Sequence, residues 1–260
     1  ETLFTQENMW EECIDVLERK ARALSELEDQ IDVLMQAASI WLDKLYNASS
    51  AAGVYERILQ AQPENMTAST AVEAIYNDLG SWEKLGDLLM TRVEHLSAEE
   101  EQVSTLQSVA RLYEEKLSNP EHAFEVLKVA FSLAYTNEVT AKEFERLAST
   151  TGKWNELLAE YSNVVQTVAD LSIKCDLWVK IGRWYGEKLQ RPDYAVASLQ
   201  QALGLNNRHK PALSALADFY RLQSAWPELV AVMSRHSELE DEPEPLTKLH
   251  LGIAELYEDK

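Results

Sequence analysis

Glycine and proline are scarce in this chain of 260 residues: 8 and 7 respectively. An all-β fold needs a turn residue every few positions, so that class is excluded by the shortage of breakers. Cysteine is scarcer still. Cys13 and Cys175 are the two thiols, too few for a disulfide framework or a zinc set, and they read as reduced thiols of a cytoplasmic protein. Long apolar runs are missing. The longest stretch without a charged residue, Tyr194 to Asn207, has 14 residues, short of the ~18 that span a bilayer, so no membrane insertion is expected. Residues 1–13 carry neither the basic segment nor the apolar segment of a signal peptide. Basic charge is in short supply as well: 24 Lys and Arg stand against 44 Asp and Glu, a net charge of −20. A nucleic-acid binder needs a basic stripe, and anionic membrane surfaces need basic clusters; neither partner is expected.

The familiar signatures of catalysis are also absent. The five histidines, His95, His122, His209, His236 and His250, are scattered, with no pair at metal-binding spacing and no HExxH. There is no glycine-rich phosphate loop, no GxSxG and no CxxC. The chain is therefore read as a non-enzyme with no cofactor and no metal. His236 and His250 fall at positions expected to pack between helices, and Cys13 is expected to fill an apolar position that Leu85, Leu157 and Leu229 occupy elsewhere.

What the chain has in abundance is repetition. Trp10, Trp82, Trp154 and Trp226 stand 72 residues apart. So do Trp41, Tyr113, Tyr185 and Tyr257, and also Lys44, Lys116, Lys188 and Lys260. Leu45, Leu117 and Leu189 follow the same period, and Gly80 and Gly152 have Asn8 and Ser224 as their counterparts. A fixed period marks a repeat array rather than separate globules. The units run roughly 8–79, 80–151, 152–223 and 224–260, the last incomplete.

Within a unit the apolar spacing is helical. Trp178, Ile181, Gly182, Tyr185 and Leu189 share one helix face, and Ala195, Leu199, Ala202 and Leu203 another. Leu213, Leu216, Ala217 and Tyr220 define a third helix, and Trp226, Leu229 and Met233 a fourth. Connections of two to five residues make successive helices antiparallel. Ser25–Glu28 and Ser97–Glu100 read as capping boxes. Asn119 reads as an N-cap, Pro192 as a first-turn residue, and Gly80 and Gly152 as left-handed helix ends.

The pattern Trp178-x-x-Ile181-Gly182-x-x-Tyr185, followed by Ala195-x-x-x-Leu199-x-x-Ala202, resembles a tetratricopeptide repeat (TPR). Each 72-residue unit resembles two such repeats, of 35 and 37 residues instead of the usual 34, and the likeness runs along essentially the whole chain. One residue is added between Tyr185 and Ala195, and about three in or after the tryptophan helix. Trp41 replaces the usual tyrosine, Glu73 stands where a small residue is expected, and Asn207 stands at the family's final proline. The resemblance implies an all-α solenoid of about fourteen helices in a right-handed superhelix. Both chain ends align with the middle of a repeat, so a piece of a longer, bacterial-type array is expected.

In that family the first helix of each repeat lines a concave groove. One lining position reads Ser39, Ala74, Arg111, Arg146, Arg183, Asp218 and Glu255 in successive repeats; Gln107 and Lys142 lie at another. The resemblance thus implies a ladder of arginines that grips an acidic or amphipathic partner peptide or helix. The competing reading is local ion pairing, Arg111 with Glu114 or Glu115 and Arg183 with Glu187. The carboxylate-clamp set of the family's co-chaperones cannot be assembled here. The acidic stretch Glu238 to Pro245 reads as a solvated connection. A protein–protein scaffold or adaptor is the expected function; the alternative is a structural spacer or a self-associating segment.

Overall fold

The computed structural model describes residues 9–259, with side chains from Met9 to Tyr257. Asn8 and Lys260, two members of the periodic sets, lie outside the described residues. The described chain is entirely helical, with fourteen helices: α1 (Trp10–Ala23), α2 (Leu27–Asp43), α3 (Ala48–Ala61), α4 (Met66–Leu79), α5 (Trp82–His95), α6 (Glu99–Glu115), α7 (Pro120–Leu133), α8 (Glu138–Thr151), α9 (Trp154–Thr167), α10 (Leu171–Glu187), α11 (Pro192–Leu205), α12 (Lys210–Leu222), α13 (Trp226–Ser237) and α14 (Pro243–Asp259). Their starts recur every 72 residues, for example Leu27, Glu99, Leu171 and Pro243. Within each of the chain's two compact units, consecutive helices pack on one another, the paired-helix arrangement implied by the motif.

Caps account for some of the starts and stops. Asn47, Asn65, Asn119 and Asn137 accept from the backbone N–H three residues on. Asp170 accepts from Ser172 and Ile173. Gly80 and Gly152 are left-handed, with φ of 64° and 73°, as their place in the repeat requires. The two expected capping boxes are not formed. α2 and α6 have Glu26 and Ala98 at the N-cap, with no side-chain bond. In both, a glutamine reaches back instead: Gln30 donates to the Leu24 carbonyl at 2.8 Å and Gln102 to the Leu96 carbonyl at 2.7 Å. The chain turns too late for Ser25 and Ser97 to face the free N–H groups, and the glutamine ties the new helix to the carbonyl ending the old one.

The extra residue expected before Pro192 sits in a wide turn built three times. The N–H of Leu45, Leu117 and Leu189 reaches the carbonyl of Ile40, Leu112 and Trp184, five residues back. The N–H of Asn47, Asn119 and Arg191 reaches Trp41, Tyr113 and Tyr185, six back, at 2.8 Å each. Between them Tyr46, Ser118 and Gln190 adopt φ of 50°, 51° and 54°. The periodic lysines and tryptophans also find each other. Lys44, Lys116 and Lys188 lie over the rings of Trp10, Trp82 and Trp154 at 5.5, 5.1 and 5.3 Å, a cation–π pair joining each tryptophan helix to the end of the next one.

The chain forms two compact units, up to Leu147 and from Ala148. In the first, Phe124, Phe131 and Phe144 are fully buried, with Phe144 tilted against both others at 4.7 and 5.5 Å. Cys13 is buried as expected. Glu73, out of place for a packing position, meets Arg92 at 2.7 Å; this ion pair is how the helix tolerates it. In the second unit, Cys175, Val179, Ala195, Leu199, Ala202 and Leu216 form one cluster, with Trp178 and Tyr185 packed on it. Trp178, Tyr185, Ala195, Leu199 and Ala202 among them are the motif residues. A Cβ at Gly182 would lie 2.9 Å from Leu199 and 3.1 Å from the Ala195 carbonyl oxygen, so glycine there sets the closeness of α10 and α11. His236 is half-buried, but His250 is exposed, against expectation: α14 turns Leu249, Ile253 and Leu256 toward α13, and His250 lies off that face. His209 is the buried histidine, 3.1 Å from Asp176.

Candidate partner-binding face

Within the first unit, α6 and α8 bring Gln107, Arg111 and Arg146 to one depression, whereas Lys142, on α8, is not part of its lining. Gln107 and Arg111 lie one helical turn apart on α6, and Lys142 and Arg146 one turn apart on α8. Gln107 donates to the Thr140 hydroxyl at 2.8 Å, tying the two helices. Between them is a depression of about 260 Å³, lined by Gln107, Arg111, Glu114, Glu143 and Arg146 among others. A second depression of about 230 Å³ lies between α4 and α6, and Arg111 borders it too.

The arginines differ in state. Arg146 is held by Glu114 through both guanidinium ends, at 2.8 and 2.5 Å, and its Nε donates to Glu143 at 2.8 Å. The bonds from Glu114 and Glu143 raise its pKa further, against the lowering effect of burial. Arg111 and Arg183 are exposed and make no ion pair among the described residues. The expected pairs Arg111–Glu114, Arg111–Glu115 and Arg183–Glu187 are thus not formed; Glu114 is taken by Arg146 across the helix–helix gap. Lys142 pairs with Glu138 at 3.1 Å, and Asp218 in the second unit with Arg221 at 3.5 Å. The α6/α8 depression holds Arg111 and Arg146 beside Glu114, Glu115 and Glu143, so its lining carries no excess of positive charge.

Sequence reasoning missed a larger cavity, about 500 Å³, in the first unit, where α3 and α5 flank α4. Its signal was present but unread: residues 59, 69 and 72 are smaller or more polar than their counterparts in the next copy. Among the described residues, no group of three His, Cys, Asp or Glu is placed to hold a metal ion, and no helix is long and apolar enough to cross a membrane.

No family model matches the sequence, and no curated protein matches it. Solved structures are similar to it in fold. The APC/C hetero-tetramer Cut9–Hcn1 aligns at 15% identity and a TM-score of 0.39, over 86% of this chain and 42% of that one. Yeast Tom70 aligns at 11% identity and 0.41, over 95% and 58%. A tetratricopeptide repeat protein from Parabacteroides merdae aligns at 14% and 0.35, over 96% and 94%. The chain thus spans about half the length of the first two. At such identities and scores the likeness extends no further than the architecture of paired helices.

Proposed function

We propose that this chain is a non-enzymatic protein-binding scaffold, and that a partner peptide or helix docks on the face formed by α4, α6 and α8. The observation that carries the reading is Arg111: an exposed guanidinium without an ion pair, set between two depressions on that face. A guanidinium is a planar fork suited to one carboxylate. With Arg146 already neutralised by Glu114 and Glu143, the fitting partner is amphipathic, with apolar residues over the two depressions and a single acidic residue at Arg111, rather than a run of acids. Gln107 contributes hydrogen bonding beside it. Arg183 offers the same chemistry in the second unit, with Lys142 and Asp218 as paired neighbours of lesser weight.

A photo-crosslinking residue at position 107 is expected to capture a partner that the same residue at position 19, on α1, does not. Arg111→Glu should then weaken the purified partner's affinity about tenfold or more, as removal of a charge-assisted bond does. Arg19→Glu should leave it unchanged. Equal loss from both changes would mean bulk electrostatics, and no loss from either would leave the chain a spacer.

A further inference from the structure

We propose that the cavity between α3 and α5 is a second binding site, and that it takes a neutral apolar group carrying a carbonyl acceptor. The cavity exists because of a local departure from the repeat. In the next copy the same place is filled by Phe131 and Phe144, both fully buried with ring centroids 5.5 Å apart. In the first copy the equivalent residues are Leu59 and Val72. In the second unit, Leu203, Leu213 and Leu216 stand at the equivalent positions, and Leu213 and Leu216 are buried. Ser69, buried at 2% exposure, takes the place that Leu213 holds there. The opening of about 500 Å³ lies within the range of small-ligand sites, roughly 300–1,000 Å³.

Its polar groups are built in, not incidental. Arg92 stands where Val164 is buried in a later copy. Its side chain is 14% exposed, bonded to Glu73 at 2.7 Å and to the Ser69 hydroxyl at 2.8 Å. Its remaining nitrogen, Nη2, is buried with no acceptor among the described residues. A buried donor of this kind is costly unless something completes it. At the far side Tyr76 donates to Glu56, and Lys84 reaches the same carboxylate at 3.0 Å. Both cations of the cavity therefore already hold a carboxylate, and Asp87 at the rim adds a further negative charge. An anion is disfavoured by that charge, and a cation leaves Nη2 without an acceptor. A neutral body with a carbonyl oxygen meets both conditions: it fills the space between Leu59, Val72 and Leu88, and its oxygen gives Nη2 an acceptor once the Arg92 side chain turns that nitrogen, sealed by its neighbours in the unliganded chain, toward the opening. The group could belong to an apolar residue of a polypeptide or to a free small molecule; the chemistry is the same.

Heteronuclear NMR of the intact chain tests this with three probes sharing one aromatic body: N-acetylphenylalaninamide (neutral), N-acetylphenylalanine (anionic at pH 7) and phenethylamine (cationic). The neutral probe should give saturable shifts at Val72, Tyr76 and Leu88, and bind about tenfold more tightly than either charged one. Arg92→Lys keeps a charge beside Glu73 but removes the orphan donor, and should weaken the neutral probe about tenfold. The double change Leu59→Phe and Val72→Phe copies the filled version and should abolish binding. Leu88→Glu copies the residue at position 160 and should do the same from the rim, without touching the core. A blocked pentapeptide with central Phe that binds tighter than the single blocked residue assigns the source to a polypeptide; equal binding assigns it to a small molecule. No saturable shift, tightest binding by a charged probe, or binding that survives Leu88→Glu would overturn the proposal.

Discussion

Ser118 shows how a single residue can carry strain for the whole pattern. Its φ of 51° lies in the left-handed region, which costs an L-residue roughly 1–2 kcal/mol. Tyr46 and Gln190 hold the same place in other copies. Glycine there would relieve the strain, partly offset by its looser unfolded chain. Ser118→Gly is expected to raise stability by about 0.5–1 kcal/mol, read as a higher midpoint in urea. A lower midpoint would mean that the side chain, and not the backbone, holds the turn. Titration offers a second residue-scale test. Burial lowers the pKa of His236 below its usual 6.5, opposed by Glu240 and aided by Lys210. The unfolded chain then takes the proton first, so the stability present above that pH is lost as pH falls through the folded value. Burial also pushes Glu56 upward, but hydrogen bonds from Tyr76 and Lys84 outweigh it and hold the carboxyl below its usual range. Its contribution is lost on further acidification. The melting temperature should fall between pH 7 and 5, and less steeply in His236→Gln; an unchanged slope in that variant would remove His236 from the account.

At the scale of the helix, the caps make a paired test. Asn119 accepts from the His122 N–H at 3.0 Å, whereas Ser97 forms no cap for α6. Asn119→Ala should cost about 1 kcal/mol, and Ser97→Ala close to nothing. Equal losses would put the start of α6 back at Ser97. Trp154 tests the packing of one helix on the next. It is 9% exposed, 6.2 Å from the Trp184 ring, and lies under Lys188. Trp154→Ala should cost roughly 3–5 kcal/mol, with hydrogen exchange rising first in α9 and α10, because each repeat is held mainly by its neighbours. An unperturbed variant would make Trp154 a surface residue with a role in binding.

Charge acts on the whole molecule at once. With 44 acidic and 24 basic side chains, self-repulsion opposes the folded state. Salt screens it over a Debye length of about 10 Å at 0.1 M. The melting temperature at pH 7 should therefore rise between low salt and about 0.5 M sodium chloride. A fall would mean that the exposed ion pairs, such as Arg146 with Glu114 and Lys142 with Glu138, outweigh the net repulsion.

The sequence by itself determined the fold, because the period of 72 and the helical spacing within it recur at every copy, and a hydrophobic face repeated that often admits one way of packing. It also determined the glycine ends, the Asn119 cap and the burial of Cys13, each of which depends on one residue and its immediate neighbours. The cap at Ser97 was misread because serine competes with the chain's turn geometry, which is set by how α5 meets α6. The turns at Tyr46, Ser118 and Gln190 were invisible, since tyrosine, serine and glutamine carry no left-handed signature. Only the tertiary structure decided which of the candidate arginines were available. Arg111 and Arg146 look alike in sequence, but Glu114 faces α8, 32 residues away along the chain, and pairs with Arg146. The cavity at Leu59, Val72 and Arg92 depends on three helices together. A void and an unpaired nitrogen are properties of what surrounds a residue, and pattern along the chain does not state them.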